Sequence, residues 1–244
     1  VGATGADIYS TVGVVWCDVA MVGVTVLDRE VYAEAEAARL LAMPQSTLHY
    51  WLEGRTQGGH TYLPILREQV TSRRVVTWGE FVEAALLRGY RNQKVPMPQL
   101  RAFIERLREE TGAPYPLAEH RPWVSGTDLL FAAQEEADLP PEFWLVSNGQ
   151  GLLTYPGDAF VHRVTWAEGI AQRLRPPVAS NESPVVIDPL QRFGRPSIAG
   201  VSTAALADEV EAGATVEEVA EDFGISAEDV RWAVAYENES ANAA

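Results

Sequence analysis

From Glu34 to Gly54 the chain reads EAEAARLLAMPQSTLHYWLEG, and its apolar positions Ala37, Ala38, Leu41, Leu48 and Trp51 recur at helical spacing. The run breaks at Ala42-Met43-Pro44, and proline suits the first turn of a new helix. Two short helices with a tight turn between them are therefore predicted, the second led by polar Gln45, Ser46, Thr47 and His49. Near the other end, VEEVAEDFGISAEDVRWAV (Val216–Val234) repeats the pattern at an offset of 182: Ala220 falls on Ala38, Phe223 on Leu41, Ile225 on Met43 and Val230 on Leu48. At the positions of Gln45, Ser46, Thr47 and His49 this second stretch offers Ala227, Glu228, Asp229 and Arg231. Similar hairpins with different surfaces point to different partners.

Charge sharpens the contrast. The chain of 244 residues carries a net charge of −15, which taken alone argues against nucleic acid, because cationic contacts to phosphate supply most of such affinity. The charge is unevenly spread, however. Residues 31–120 hold 11 Lys/Arg against 10 Asp/Glu, whereas residues 181–244 hold 3 against 13. An acidic tail half can repel DNA while a near-neutral head half binds it through one face. The single cysteine, Cys17, excludes an internal disulfide and a multi-thiolate metal site within one chain, and fits a reducing cytoplasm. The four histidines lack ligand spacing, so neither metal nor cofactor is expected. No apolar run is long enough to span a membrane.

Four regions follow. Residues 1–30 are apolar and rich in glycine and valine without helical periodicity. They read as a short β-segment or as a translated leader ahead of Met21, and lack the basic start of a secretory signal. In residues 31–112 the first hairpin precedes two β-prone runs, Thr61–Leu66 and Val75–Trp78, with Arg73 and Arg74 between them. A strand pair after a helix-turn-helix is the layout of a winged helix, whose wing tip places basic side chains near phosphates. Thr77 with Glu80 forms a capping-box signature for the next helix. Another helix follows, with Pro98 near its start, Gly112 past its end and a stripe of Leu100, Phe103, Ile104 and Leu107 facing the core. Its Arg101, Arg106 and Arg108 fall on the other sides. Residues 113–180 shift to strands, with a turn signal at Asn148-Gly149, and PPVASNESP (176–184) reads as a linker. Residues 181–244 form an acidic module that opens with VVID and closes with the second hairpin.

The blocks EAARLLAMPQSTLHYW, VVTWGEFVEAALLRGYR and VPMPQLRAFIERLREETG resemble a MerR-like winged-helix regulator. VVIDPLQRFGRPSIAGVSTAALADEVEAGATVEEVAEDFGISAEDVRWAVAYE resembles the domain-of-unknown-function 433 family, through a DP, a GxPxIxG run, an AGxxxEExAxDFG start and a closing AxxYE. Relatives carry a polar triplet with arginine after that run, where this chain has Val201-Ser202-Thr203. Chains joining the two parts are similar to VapB-type antitoxins. The resemblance implies an α+β fold: a MerR-like winged helix-turn-helix with following helices, a small mixed β region, and a C-terminal helical domain of helix-turn-helix type. It implies a homodimer that binds operator DNA, represses its own operon and neutralises a VapC-like, PIN-type ribonuclease toxin.

Within that frame Gln45, Ser46, Thr47, His49, Tyr50, Arg55, Arg73 and Arg74 are the candidate DNA contacts. Gln45 suits bidentate reading of adenine, and the arginines suit phosphates. Glu217, Glu218, Glu221, Glu228 and Asp229 are the candidate toxin contacts, because a basic RNA-binding toxin would complement them. Val216, Val219, Phe223, Ile225, Val230 and Ala233 are expected to form the second hairpin's own core. Gly194, Pro196 and Gly200 in FGRPSIAG suit tight turns and close backbone approach; no lysine follows to make a phosphate loop. No nucleophile elbow or ligand pair supports catalysis around Asp158, His162 and Glu168, so the chain reads as a non-enzyme. The competing readings are a MerR-like regulator with a C-terminal ligand-sensing domain and an adaptor that binds only protein.

Overall fold

The head of the protein is organised around α3 (Trp78–Asn92), which begins at the capping box expected from Thr77 and Glu80. In this computed structural model the structure describes residues 25–119, 133–138, 160 and 162–243. The expectations for residues 1–24, and the Asn148-Gly149 turn, lie outside the described residues. Ahead of α3 come β1 (Glu30–Ala33), α1 (Glu34–Leu40), α2 (Gln45–Glu53), β2 (Arg55–Gln57), β3 (His60–Tyr62) and β4 (Val75–Thr77). After it comes α4 (Met97–Thr111), with Pro98 in its first turn and left-handed Gly112 closing it. The expected stripe Leu100, Phe103, Ile104 and Leu107 is fully buried, against a core that includes Leu48, Trp51, Trp78 and Phe81.

The fold is mixed α+β, and every strand pair among the described residues is antiparallel. The strand pairing in the head differs from expectation. Val75–Thr77 pairs with Glu30–Ala33, while Thr61 and Tyr62 pair back onto Thr56 and Arg55 around Gly58-Gly59. A two-residue turn with both glycines at positive φ closes the smaller loop, whose entropy cost is lower than that of bridging residues 67–74. Ile65 and Leu66 consequently form no strand; both donate to the Trp51 carbonyl and bury their side chains. Gly54 permits this return, because a Cβ there would lie 2.2 Å from the Tyr62 carbonyl oxygen.

One arginine that the sequence reading passed over holds these pieces together. Arg67, almost fully buried, donates to Glu53 at the end of α2 and to Glu80 of the α3 capping box (2.6 Å). It also donates to Thr71 (2.8 Å) and to the Arg73 and Val75 carbonyls, which fixes the loop and β4 together. One turn further along α3, fully buried Glu83 accepts from Arg108 (3.2 Å) and from the Leu117 amide (3.1 Å). Arg108 is thus turned toward the core edge, whereas Arg106 pairs outward with Glu110 and Glu136. Burial pushes the Glu83 carboxyl up to about 7, against the opposing pull of Arg108.

The β-hairpin of β5 (Val164–Ala167) and β6 (Ile170–Leu174) lies against this head, and Trp78 donates its indole N–H to the Ala171 carbonyl at 2.7 Å. Residues 176–184 form an ordered connection. Arg163 donates to the Pro176 and Ala179 carbonyls (2.7 and 2.9 Å), and Arg175 donates to that of Ser183 (2.8 Å). Beyond them a second core gathers Ala179, Val185, Ile198, Leu206, Val219, Ala220, Val230, Ala233 and Tyr236. It joins the short ribbon of β7 (Ser197–Ile198) and β8 (Val201–Ser202) to α5 (Thr203–Glu211), α6 (Val216–Phe223) and α7 (Ala227–Ala243).

The GxPxIxG run performs the tasks expected of it. Ala199 and Gly200 both take positive φ in the ribbon's turn. Gly194 lets the backbone press on β1, where a Cβ would come within 2.6 Å of the Tyr32 hydroxyl, and that hydroxyl donates to the Gly194 carbonyl. At the departure from the family pattern, Thr203 is buried and donates to the Pro196 carbonyl (3.2 Å), with its hydroxyl beside Glu237 of α7.

Candidate nucleic-acid and partner surfaces

Helix α2 opens with no side-chain cap. Its N-cap is Pro44, and neither Gln45, Ser46 nor Thr47 is acidic. Gln45 and Ser46 are exposed and Thr47 half-buried, so the first amides of a nine-residue helix sit beside neutral hydrogen-bonding side chains. The Thr47 and Leu48 amides donate to the Pro44 carbonyl, and the end attracts anions through the remaining first-turn N–H groups and the positive end of the helix dipole. Leu48, Trp51 and Leu52 form the buried face that fixes its orientation.

His49 stands one turn further along, and its Nδ1 lies 2.6 Å from Oε1 of Glu34. Arg74 donates to the other oxygen of the same buried carboxylate at 3.2 Å. Glu34 therefore brings together two candidate residues from separate parts of the sequence. Arg73 pairs with Glu30. Neither arginine stands at a hairpin tip, which corrects the expected wing geometry: the run after them pairs with β1. Both remain largely exposed, at 63% and 70%.

The β2–β3 ribbon is exposed at all six strand positions and projects from the C-terminal end of α2. At its base the Arg55 guanidinium lies 4.4 Å from the Tyr50 ring centre and 5.7 Å from that of Tyr62. The two rings meet edge to face, 6.4 Å apart. Stacking holds the cation in place while its N–H groups stay available to a phosphate. The sequence reading missed Tyr62 and His60, although Gly58-Gly59 between alternating residues was the signal for a hairpin.

The acidic module is arranged differently. Thr215 and Glu218 form a complete capping box at the start of α6. These hydrogen bonds from Thr215 hold the Glu218 carboxyl below the usual glutamate range. Ser226 and Asp229 make the same exchange at the start of α7, with Asp229 half-buried. Glu217 pairs with Arg231 at 2.9 Å. Of the five candidate partner contacts, only Glu221 and Glu228 are exposed carboxylates with no hydrogen bond or ion pair among the described residues. Phe223 departs from its expected place in the hairpin core: it is 38% exposed, because the helix stops beside it at left-handed Gly224 and no described element covers that side.

A curated relative, the uncharacterised protein Rv2308 of Mycobacterium tuberculosis, is 36% identical over 226 residues, covering 87% of this chain and 92% of its own length. The chain belongs to the family of Rv2308. Residues 185–236, the acidic module, match the family described as a protein of unknown function, DUF433. A more distant relative from the same organism, the putative antitoxin VapB45, is 26% identical over 225 residues, covering 85% of this chain and 93% of that protein. The crystal structure of Rv2018 from M. tuberculosis shares the fold, with a TM-score of 0.67 at 24% identity, over 86% of this chain and all of that one. No described helix of this chain is long and apolar enough to cross a membrane.

Proposed function

We propose that this chain is an antitoxin that binds DNA with its head and a basic toxin with its acidic module. The observation that carries the reading is the opposite treatment of two similar hairpins. Helix α2 leaves its N-terminus uncapped beside Gln45 and Ser46 and carries the stacked Arg55 past its other end, while α6 and α7 consume their N-termini in capping boxes within a strongly acidic surface. The N-terminal residues of the second helix of a helix-turn-helix normally meet base edges, and a following β-ribbon contacts backbone. In this reading Gln45 reads a base, while Ser46, Thr47, Tyr50 and Arg55 hold phosphates. His49, Arg73 and Arg74 are positioned at the margin by Glu34 and Glu30.

The putative antitoxin among the relatives supports a toxin partner, and the charge of the module suits a cationic one. We take that partner to be a VapC-like, PIN-type ribonuclease, met by Glu221 and Glu228, and the DNA to be a palindromic operator read by a homodimer. The full chain should bind DNA from upstream of its own gene in a fluorescence anisotropy assay. Gln45→Ala should reduce discrimination against random duplex by roughly 1–3 kcal/mol, the value of a bidentate base contact. Equal affinity for both duplexes in the unaltered protein would sink the DNA half of the reading. For the other half, a PIN-type ribonuclease gene is expected beside this one; co-expression should protect RNA from its product, and reversing Glu221 and Glu228 should slow association.

A further inference from the structure

Against the outer face of α3 lies a cavity of about 210 Å³ at the meeting of the head, the β5–β6 hairpin and the connection to the acidic module. Arg88 and Asn92 of α3 line it, with Arg163, Arg175 and apolar Leu86 and Leu174. Although the chain holds 34 acidic residues, no described carboxylate lines this cavity.

The arginines are held in place by carbonyls. Arg88 donates its Nε to the Ala42 carbonyl at 3.2 Å, and Arg175 donates its Nε to that of Ser183 at 2.8 Å. The Arg175 amide also donates to the Arg163 carbonyl at 2.7 Å, fixing two of the arginine-bearing segments to each other. An Nε–carbonyl bond orients a guanidinium while leaving its terminal N–H groups free for a planar acceptor. No described carboxylate pairs with Arg88 or Arg175. Two other largely buried arginines are treated otherwise: Arg67 meets Glu53 and Glu80, and Arg108 meets Glu83. Burial draws the Arg88 guanidinium below its ordinary range, the effect of removing a cation from water without a counter-charge.

We propose that this cavity binds a small organic anion, a carboxylate or phosphate head on a compact apolar body. The head would bridge Arg88 and Arg175 and the body would rest on Leu86 and Leu174. Because Arg88 also holds the turn of the first hairpin and Arg175 the connection to the acidic module, the bound anion would link the DNA-facing and acidic halves.

The test is calorimetric titration of the full chain with phenyl phosphate, benzoate, inorganic phosphate and phenol. Saturable one-to-one binding of phenyl phosphate or benzoate is expected, with inorganic phosphate weaker and phenol silent. Arg88→Gln should lower affinity by about tenfold or more, since a hydrogen bond to a charged group contributes roughly 1.5–3 kcal/mol. Arg88→Lys, which keeps the charge but not the fork, should fall between. Circular dichroism checks that each variant is folded, and Arg175→Gln provides a second, independent reading. Absence of saturable binding by both aryl anions, or unchanged affinity in folded Arg88→Gln, would overturn the proposal. So would equal binding of phenol, or displacement of phenyl phosphate by random duplex DNA.

Discussion

The two helical hairpins begin at matching places: Val216 stands 182 residues after Glu34, and Ala227 stands 182 after Gln45. Core positions coincide as well. Leu48 and Val230 are fully buried, Trp51 and Ala233 nearly or fully so, and left-handed Ala42 falls on left-handed Gly224. The same short backbone path thus serves twice, and the difference lies in what each copy does with its polar groups. The acidic copy satisfies its helix ends with its own side chains. The head copy leaves α2 open at its start and ties its far end to a buried arginine. A hairpin that caps itself needs no neighbour to satisfy its helix ends; one that is uncapped depends on neighbours for stability and keeps its end available to a ligand.

Removing that dependence should produce the largest effect. Arg67→Ala would leave Glu53 and Glu80 buried without their cation, and stripping one partner from a buried pair costs about 3–5 kcal/mol. In chemical denaturation the head should unfold at much lower denaturant than the acidic module, splitting a shared transition into two. A loss below about 1 kcal/mol, the range of surface pairs, would mean that the head hairpin does not rely on this network.

Glu83 gives the next largest effect and separates the two halves by pH. Its carboxyl is raised to about 7 in the folded chain, so between the unfolded glutamate value and 7 the native state binds the extra proton. Stability should therefore be greatest at the acid end of that window and fall as pH rises through it, by on the order of 3 kcal/mol if the full shift is expressed. Glu83→Gln should flatten this slope in melting scans from pH 5 to 8. A slope that survives the substitution would place its origin elsewhere.

Much of this was legible in the residues themselves. The α4 stripe, the Thr77–Glu80 box and the Gly112 stop are local patterns, in which spacing along the chain equals spacing in space. The offset between the hairpins was legible for the same reason. The pairing of Val75–Thr77 was not, since a β-prone run specifies a strand without naming its partner, and the Gly58-Gly59 turn took the other run away. Arg67 reads as one more loop cation; its burial comes from carboxylates 13 and 14 residues away that only the fold assembles. Phe223 fits the apolar stripe by spacing, yet a stripe does not say whether anything lies opposite its last turn. In the candidate site, Gln45 and Arg55 could be read from sequence, whereas the convergence of His49 and Arg74 on Glu34 could not.

Caps come next in size. Thr215→Ala and Ser226→Ala should each cost about 1 kcal/mol, since each removes a hydroxyl that accepts from the third helical amide. Ser46→Ala at the matching end of α2 should leave stability within about 0.5 kcal/mol, as expected for an exposed side chain without a structural bond. Its effect should appear in DNA affinity. If Ser46→Ala destabilised as much as Ser226→Ala, the uncapped end of α2 would be structural and the contrast between the hairpins would be lost.

The smallest effect concerns the turn itself, where Ala42 and Gly224 share a left-handed backbone with φ of 47° and 66°. For a residue with a Cβ that conformation costs roughly 1–2 kcal/mol, partly offset because alanine loses less freedom on folding than glycine, by about 0.5–1 kcal/mol. Gly224→Ala meets no atom within 4 Å, so strain alone should decide it, and a net loss of about 0.5–1 kcal/mol is expected. Ala42→Gly should run the other way by a similar amount, provided the Ala42 carbonyl keeps its bond from Arg88. Opposite signs in paired denaturation curves would show that one backbone turn underlies both hairpins. If Ala42→Gly instead destabilised, the Ala42 side chain or its link to Arg88 would be holding the head's turn, and the two turns would be alike in shape only.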